Sequence, residues 1–303
     1  MKKRMEKKNN LKWILISIIS LGIAFIVFTA LITLFSGENL SGNTAHIKVR
    51  GVITSGESFF AVETSSSEDV VENIRKADEN PRIKAILLDI NSPGGSPVSS
   101  EEITAAVKSA EKPVVALIRD IGTSGAYWIA SASDAIVASP LSITGSVGAT
   151  AAYLEFSELM KKYGIGYERL VSGELKDTGT PFRKLSEEEE KLLQEIIRLT
   201  GSYFANSVKE NRQLSDEAVE EISSGRIYTG QQAQELNLID ELGNIEKAKQ
   251  LIKEKAGLEK VKLVEYKIKK PFSIASLLSQ QAAVVGKSMG AALLPKESAI
   301  SLS

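Results

Sequence analysis

Ile83-Lys84-Ala85-Ile86-Leu87-Leu88-Asp89-Ile90, running into Asn91-Ser92-Pro93-Gly94-Gly95-Ser96, is the stretch on which the fold turns. An aliphatic run of this length with no polar face reads as a strand buried on both sides, and the Pro-Gly-Gly that follows ends it in a turn. Beyond the turn, Val98–Ser109 has helical spacing and Val114–Ile118 is a second buried strand. A Gly/Ser turn then leads into an apolar helix from Ser124 to Ala132, and Ala135–Ala138 is a short strand. Upstream, Ala45–Ile53 alternates as a strand, and Ser67 followed by Glu68-Asp69 opens a helix that ends near Asn80-Pro81. Downstream come a helix over Leu154–Tyr163, a strand over Tyr167–Val171 and a long helix over Ser186–Asn211 with an acidic first turn. Two short helices (Asp216–Ser223 and Gly230–Leu236), a helix over Ile245–Lys255 and a strand over Val261–Tyr266 close the pattern. Strands alternating with helices predict an α/β protein with a mainly parallel sheet and flanking helices.

The 303 residues include one histidine and no cysteine. A cysteine nucleophile, a disulfide framework and a thiolate zinc site are therefore excluded, and any Ser-His-Asp triad has to use His46. The net charge of −1 averages unlike parts: residues 1–12 hold six Lys/Arg and one Glu, leaving 31 basic against 37 acidic residues in the remainder. An acidic body argues against nucleic acid as a partner. From Trp13 to Gly37 there are 25 residues without a charge, which as a helix span roughly 37 Å, enough for a hydrocarbon core of about 30 Å. The run is longer than the apolar core of a cleaved signal peptide, and Leu34-Phe35-Ser36-Gly37-Glu38 makes a poor cleavage site. We expect a basic cytoplasmic segment (1–12), an uncleaved transmembrane anchor (13–37), a polar linker (38–44) and a body (45–270) on the outer face, by the positive-inside bias. Residues 271–303 lose the pattern and read as a loose tail, with assembly or membrane-surface contact as the alternatives.

Three Gly-rich stretches follow strands: residues 91–96, Gly122-Thr123-Ser124-Gly125-Ala126-Tyr127, and Thr144-Gly145-Ser146-Val147-Gly148. Sites in parallel sheets gather at the carboxyl ends of strands, and paired glycines let backbone amides face an oxyanion or a phosphate. Neither G-x-x-x-x-G-K-[ST] nor G-x-G-x-x-G is present, so phosphate binding lacks its usual signature. Taken singly, each stretch is equally a structural turn. Ser124 begins an apolar helix, where an N-cap serine contributes about 1 kcal/mol and a nucleophile would meet converging helix amides. A nucleophilic serine needs a base. His46 lies far in sequence from every turn, which does not exclude it in space but favours a structural role, and lysine is the other candidate base. A lysine becomes a base only where burial lowers its pKa from about 10.4. Most lysines here lie on charged helices, but Lys176 sits in the loop Ser172-Gly173-Glu174-Leu175-Lys176-Asp177-Thr178-Gly179.

These motifs, with Leu141-Ser142-Ile143 ahead of Thr144 and with Gly225-Arg226-Ile227-Tyr228-Thr229-Gly230-Gln231-Gln232-Ala233, give the chain a resemblance. Over about residues 45–266 and the anchor it resembles bacterial signal peptide peptidase A, the membrane-bound serine–lysine peptidases of the Clp/crotonase superfamily. The resemblance implies a Clp/crotonase-like fold preceded by one transmembrane helix, with Ser124 as nucleophile and Lys176 as general base. It makes Ser146 an auxiliary serine that holds the lysine, and it puts the oxyanion hole at the amides of Gly94, Gly95 and Gly125. It implies no metal or cofactor, remnant signal peptides as substrates, and cell-membrane localisation. The chain has one copy of the catalytic fold, as in short forms, which implies a homo-oligomeric ring whose sites take serine and lysine from neighbouring subunits. One departure is Ala126 where the family commonly has a second glycine; alanine is harmless there if the position is already helical. The rival readings are another membrane serine protease of the Clp superfamily, a crotonase-like acyl-CoA enzyme and a non-catalytic scaffold.

Overall fold

A computed structural model of the chain describes residue 20 and residues 42–56 and 63–267. Among the described residues, nine strands and eight helices are ordered as β1 (Thr44–Thr54), β2 (Thr64–Ser66), α1 (Ser67–Glu79), β3 (Ala85–Gly95), α2 (Pro97–Ser109), β4 (Val114–Thr123) and α3 (Gly125–Ser131). They continue as β5 (Ala135–Ala138), β6 (Ile143–Gly145), α4 (Ser157–Lys162), α5 (Glu187–Arg212), α6 (Asp216–Ile222) and β7 (Ile227–Thr229). Last come α7 (Gly230–Glu235), β8 (Glu241–Leu242), α8 (Ile245–Lys255) and β9 (Leu263–Glu265). The sheet runs β2-β1-β3-β4-β5-β8; β9 pairs with β1, and β6 pairs with both β4 and β7. Every pairing is parallel except β6 with β7. The chain is a mixed α/β protein with a mainly parallel sheet and flanking helices.

The central strands are apolar on both faces because both faces are covered. Ala45, Ile47 and Val49 of β1, Ile86, Leu88 and Ile90 of β3, and Ala116 and Ile118 of β4 pack with α1, α2 and α3 in the main core. Ala85, Leu87, Val115, Leu117, Ala135 and Val137 face the other way, onto Ala248 and Ile252 of α8. Past the reach of α8, that second face turns polar. His46 Nε2 is 2.8 Å from Asp89 Oδ2, and Arg50 and Arg119 each donate to the same buried carboxylate at 2.7 Å. Burial pushes the Asp89 carboxyl up, but the hydrogen bonds from Arg119, His46 and Arg50 outweigh it and hold it well below the usual carboxylate range.

Two strands outrun their expected ends. β3 continues through Asn91–Gly95 and β4 through Thr123, each after a shift in register: between Arg50 and Val52 against β1, and between Ile90 and Ser92 against β4. Such bulges re-aim a strand while keeping it paired. The Gly-rich turns are thus delivered from rigid strands. By contrast, the strand expected over Tyr167–Val171 is absent, and the helix expected over Leu154–Tyr163 shortens to Ser157–Lys162 with no buried residue. The expected anchor (13–37, apart from Ser20), the basic segment before it and the tail 271–303 lie outside the described residues. Among the described residues, no helix is long and apolar enough to cross a membrane.

Candidate active site

Ser124 occupies the one-residue turn between β4 and α3. It has φ 54 and ψ −130, where an N-cap residue would be extended, and its side chain makes no capping hydrogen bond. The plain N-cap reading therefore does not describe it. Ser124 instead sits in a sharp, strained strand-to-helix turn, the kind of turn on which other hydrolase folds carry a nucleophile. Backbone groups hold the strain: the Ser124 N–H donates to the Gly145 carbonyl at 2.8 Å, and Trp128 N–H donates to the Ser124 carbonyl at 3.0 Å.

The other glycine turn closes on this one. Gly94 has φ 96, and a Cβ there would lie 2.8 Å from the Gly125 nitrogen and 2.8 Å from Ser124 Cβ. At Gly125 a Cβ would meet Ser100 Oγ at 2.1 Å, with the Gly95 nitrogen at 3.5 Å. Only glycine lets the two chain segments approach so closely. The N–H of Gly94 already donates to Ser92 Oγ at 3.1 Å. Ala126 is helical and fully buried, so its methyl group costs the turn nothing.

The third stretch arrives through β6, which pairs with β4 at Thr123↔Gly145 and with β7 at Gly145↔Ile227. The Tyr228 ring lies 2.6 Å from where a Cβ at Gly145 would stand, and Ser146, at φ 57, donates its N–H to Arg226 O at 2.8 Å. Residues 225–230 are in this way the outer brace of the Ser146 turn. Ser124, Gly125, Gly95 and Ser146 all line one cavity of about 570 Å³. Its far wall is α5, through Gln194, Ile197, Arg198 and Gly201, with Trp128 and Phe204 stacked at 4.6 Å beneath.

Lys176 is elsewhere. It is exposed, in the turn-rich loop 172–180, and does not line the cavity. Its neighbour Asp177 accepts from Arg169 at 2.9 Å and Arg183 at 2.9 Å, and Arg183 also donates to Glu189 at 2.6 Å. Glu189 is buried in the first turn of α5, where it closes a capping box with Ser186. His46 faces away from Ser124: it alternates with Ala45 and Ile47, which join the core containing α3, so it lies on the opposite side of the sheet.

The contribution of α5 to the cavity was not expected from the sequence. Its one hint is Gly201 in mid-helix, where glycine costs about 1 kcal/mol relative to alanine. A Cβ at Gly201 would lie 3.6 Å from the Ala149 nitrogen, so the small residue marks where the helix meets the loop after Ser146.

The Peptidase family S49 model matches residues 106–259, a span that contains Ser124, Ser146 and Lys176. The chain belongs to peptidase family S49. A Methanocaldococcus jannaschii protein named provisionally as a protease is 30% identical over 288 residues, covering 94% of this chain and 93% of that one. An Enterococcus faecium protein named provisionally as the signal peptide peptidase SppA is 36% identical over 73% of this chain and 66% of its own length. Among solved structures, a mutant of a membrane-bound stomatin-specific protease aligns at 13% identity with a TM-score of 0.45, over 75% of this chain and 98% of that one. The SppA-type family makes this chain a peptidase, a hydrolase of peptide bonds.

Proposed function

We propose that this peptidase is a membrane-anchored serine endopeptidase with a Clp/crotonase-like fold, in which Ser124 is the nucleophile and Lys176 the general base. The observation that carries the reading is the Ser124 turn: a strained serine, its hydroxyl not used as a cap, lining a cavity beside glycine turns. A lysine serves as base only where burial strips its ammonium of water. Because Lys176 is exposed within one chain, the reading requires a second copy to cover it. The described surface supports that requirement. Residues 148–188 contain no buried side chain, yet include Leu154, Leu159, Tyr163, Ile165 and Leu170, all exposed. On α5, Leu192, Ile196, Leu199 and Tyr203 are exposed at helical spacing on one face.

In the assembled site, neutral Lys176 Nζ takes the Ser124 proton as Oγ attacks the peptide carbonyl. The tetrahedral oxyanion forms against the backbone amides of Gly95 and Gly125, the Gly94 N–H being taken by Ser92 Oγ. Its collapse breaks the C–N bond, and the amine leaves with the proton held on Nζ. Water then attacks the acyl-enzyme, giving its proton to Nζ, and collapse breaks the C–Oγ bond, releasing the acid product as Nζ returns that proton to Ser124 Oγ. Ser146, on the same cavity wall, accepts from the incoming lysine and fixes it. The anchor over 13–37 keeps the catalytic body at the outer face of the cell membrane, where remnant signal peptides and other membrane-associated peptides are its substrates.

The deciding experiment is acylation by a serine-reactive probe read out by mass. Ser124 is the modified residue, and Ser124→Ala and Lys176→Ala each lower kcat by roughly three orders of magnitude or more with fold and assembly intact. Because the base works in its neutral form, kcat/KM rises with pH; a flat profile from about pH 5 to about 9 would exclude a lysine base.

A further inference from the structure

Arg198 is the only charged side chain in the described wall of the cavity that holds Ser124. Six other arginines are committed to carboxylates within the chain: Arg50, Arg75, Arg119, Arg169, Arg183 and Arg212. Among the described residues Arg198 has no such partner, although Glu187, Glu190 and Glu195 share its side of α5 and line the adjoining groove with it. Its neighbours in the cavity, Gln194, Thr200, Ser223 and Ser224, are neutral. The guanidinium thus sets the sign of the cavity. Its planar fork of N–H groups matches a carboxylate, to which it can donate two parallel hydrogen bonds. Exposed pairs of this kind contribute little in open water, but a peptide laid in the cleft would itself exclude water from the pair.

We infer that Arg198 binds a carboxylate of the peptide substrate and so selects which peptides are placed against Ser124. The inference rests on the serine-peptidase reading above. The carboxylate is either an acidic side chain or the C-terminal α-carboxylate of a fragment. In the second case, the class of reaction that supplies the substrate is an earlier peptide-bond hydrolysis, which leaves that group behind.

The test uses the full-length, assembled protein and two matched pairs of fluorogenic peptides. One pair differs only in a C-terminal acid against amide, the other only in Glu against Gln, placed in turn at positions flanking the scissile bond. Wild type is expected to favour the carboxylate member of one pair by about ten-fold in kcat/KM, the size of one charge-assisted interaction. The pair that responds identifies the source. Arg198→Gln abolishes the ratio, and Arg198→Glu inverts it. The same peptides titrated calorimetrically into Ser124→Ala report affinity without turnover. An absence of probe labelling at Ser124 would therefore defeat the catalytic reading while still leaving carboxylate binding measurable. Equal kcat/KM and equal affinity within both pairs in the presence of Arg198, or a ratio that survives Arg198→Gln, overturns the inference.

Discussion

Ser124 keeps a conformation that costs a non-glycine residue of order 1–3 kcal/mol, and it does so because its neighbours leave no alternative. The Gly145 carbonyl takes its N–H, the first turn of α3 takes its C=O, and any Cβ at Gly94 would stand 2.8 Å from Ser124 Cβ. Gly94 is the point where this cage is most easily broken. Alanine there would be strained by φ 96 and would also stand 2.8 Å from the Gly125 nitrogen and 2.9 Å from the Thr123 carbonyl oxygen, all backbone that cannot swing aside. Gly94→Ala is expected to lower the unfolding free energy by about 2 kcal/mol in denaturant titration. The acylation rate of Ser124 should fall at least about ten-fold, since small displacements at a reacting centre are costly. A variant that labels at the wild-type rate would show that Gly94 only shapes the turn. At this scale much of the site was legible in the sequence: Gly94, Gly95, Gly125 and Ser146 converge as their motifs suggest, because turn chemistry is local. What was not legible is the left-handed φ of Ser124 itself, which depends on a carbonyl 21 residues further on, in β6.

Among the elements, those that pair or pack in the buried core lie where their hydrophobic patterns predict, with β3 and β4 running past their expected ends, and the segment Tyr167–Val171, which meets no partner, forms no strand. Ala135–Ala138 and Ile245–Lys255 match their expected limits, whereas Tyr167–Val171 has β-forming residues but no strand edge to join. Of the two- and three-residue strands only β9 falls within an expected one; β2, β6, β7 and β8 escape any periodicity argument, because each is defined by the backbone it meets. The Lys176 loop follows the same logic: ion pairs with the start of α5 hold it, in place of core packing. Hydrogen bonds from Arg169 and Arg183 hold the Asp177 carboxyl below its usual range, and those from Arg183 and the Ser186 amide lower Glu189 to about 2. Both shifts are downward, so the stabilisation is fully present above the unfolded carboxylate values of about 3.9–4.3 and is lost as pH falls through the folded ones. Hydrogen exchange over residues 169–190 should accelerate between about pH 4 and about pH 2, ahead of the buried strands β3 and β4. Asp177→Asn should bring the same local loosening at neutral pH and lower kcat by up to about a hundred-fold through misplacement of Lys176. If exchange in the loop and in the sheet changed together, the ion pairs would belong to the global fold and not to the loop.

For the molecule as a whole, the separation of Lys176 from the Ser124 cavity has a direct consequence. Were both residues of one site to come from the same chain, the exposed loop would have to move onto its own cavity. If neighbouring copies supply them, the exposed apolar side chains of residues 148–188 and of α5 have a reason to exist, since assembly buries them as it delivers the base. Co-expression of Ser124→Ala with Lys176→Ala distinguishes these arrangements without any structure of the assembly. Each variant alone is inactive in both cases. Where a site joins two neighbours, random co-assembly of equal amounts pairs an intact serine with an intact lysine at about one site in four, so roughly a quarter of wild-type activity returns. Where each site lies within one chain, every chain in the mixture lacks one of the two groups and no activity returns. Dilution adds an independent check: a shared site loses activity as the assembly dissociates, with the loss tracking the oligomer fraction measured by sedimentation. Recovery on mixing together with loss on dilution would identify the exposed position of Lys176 in the single chain as the unassembled half of a working site.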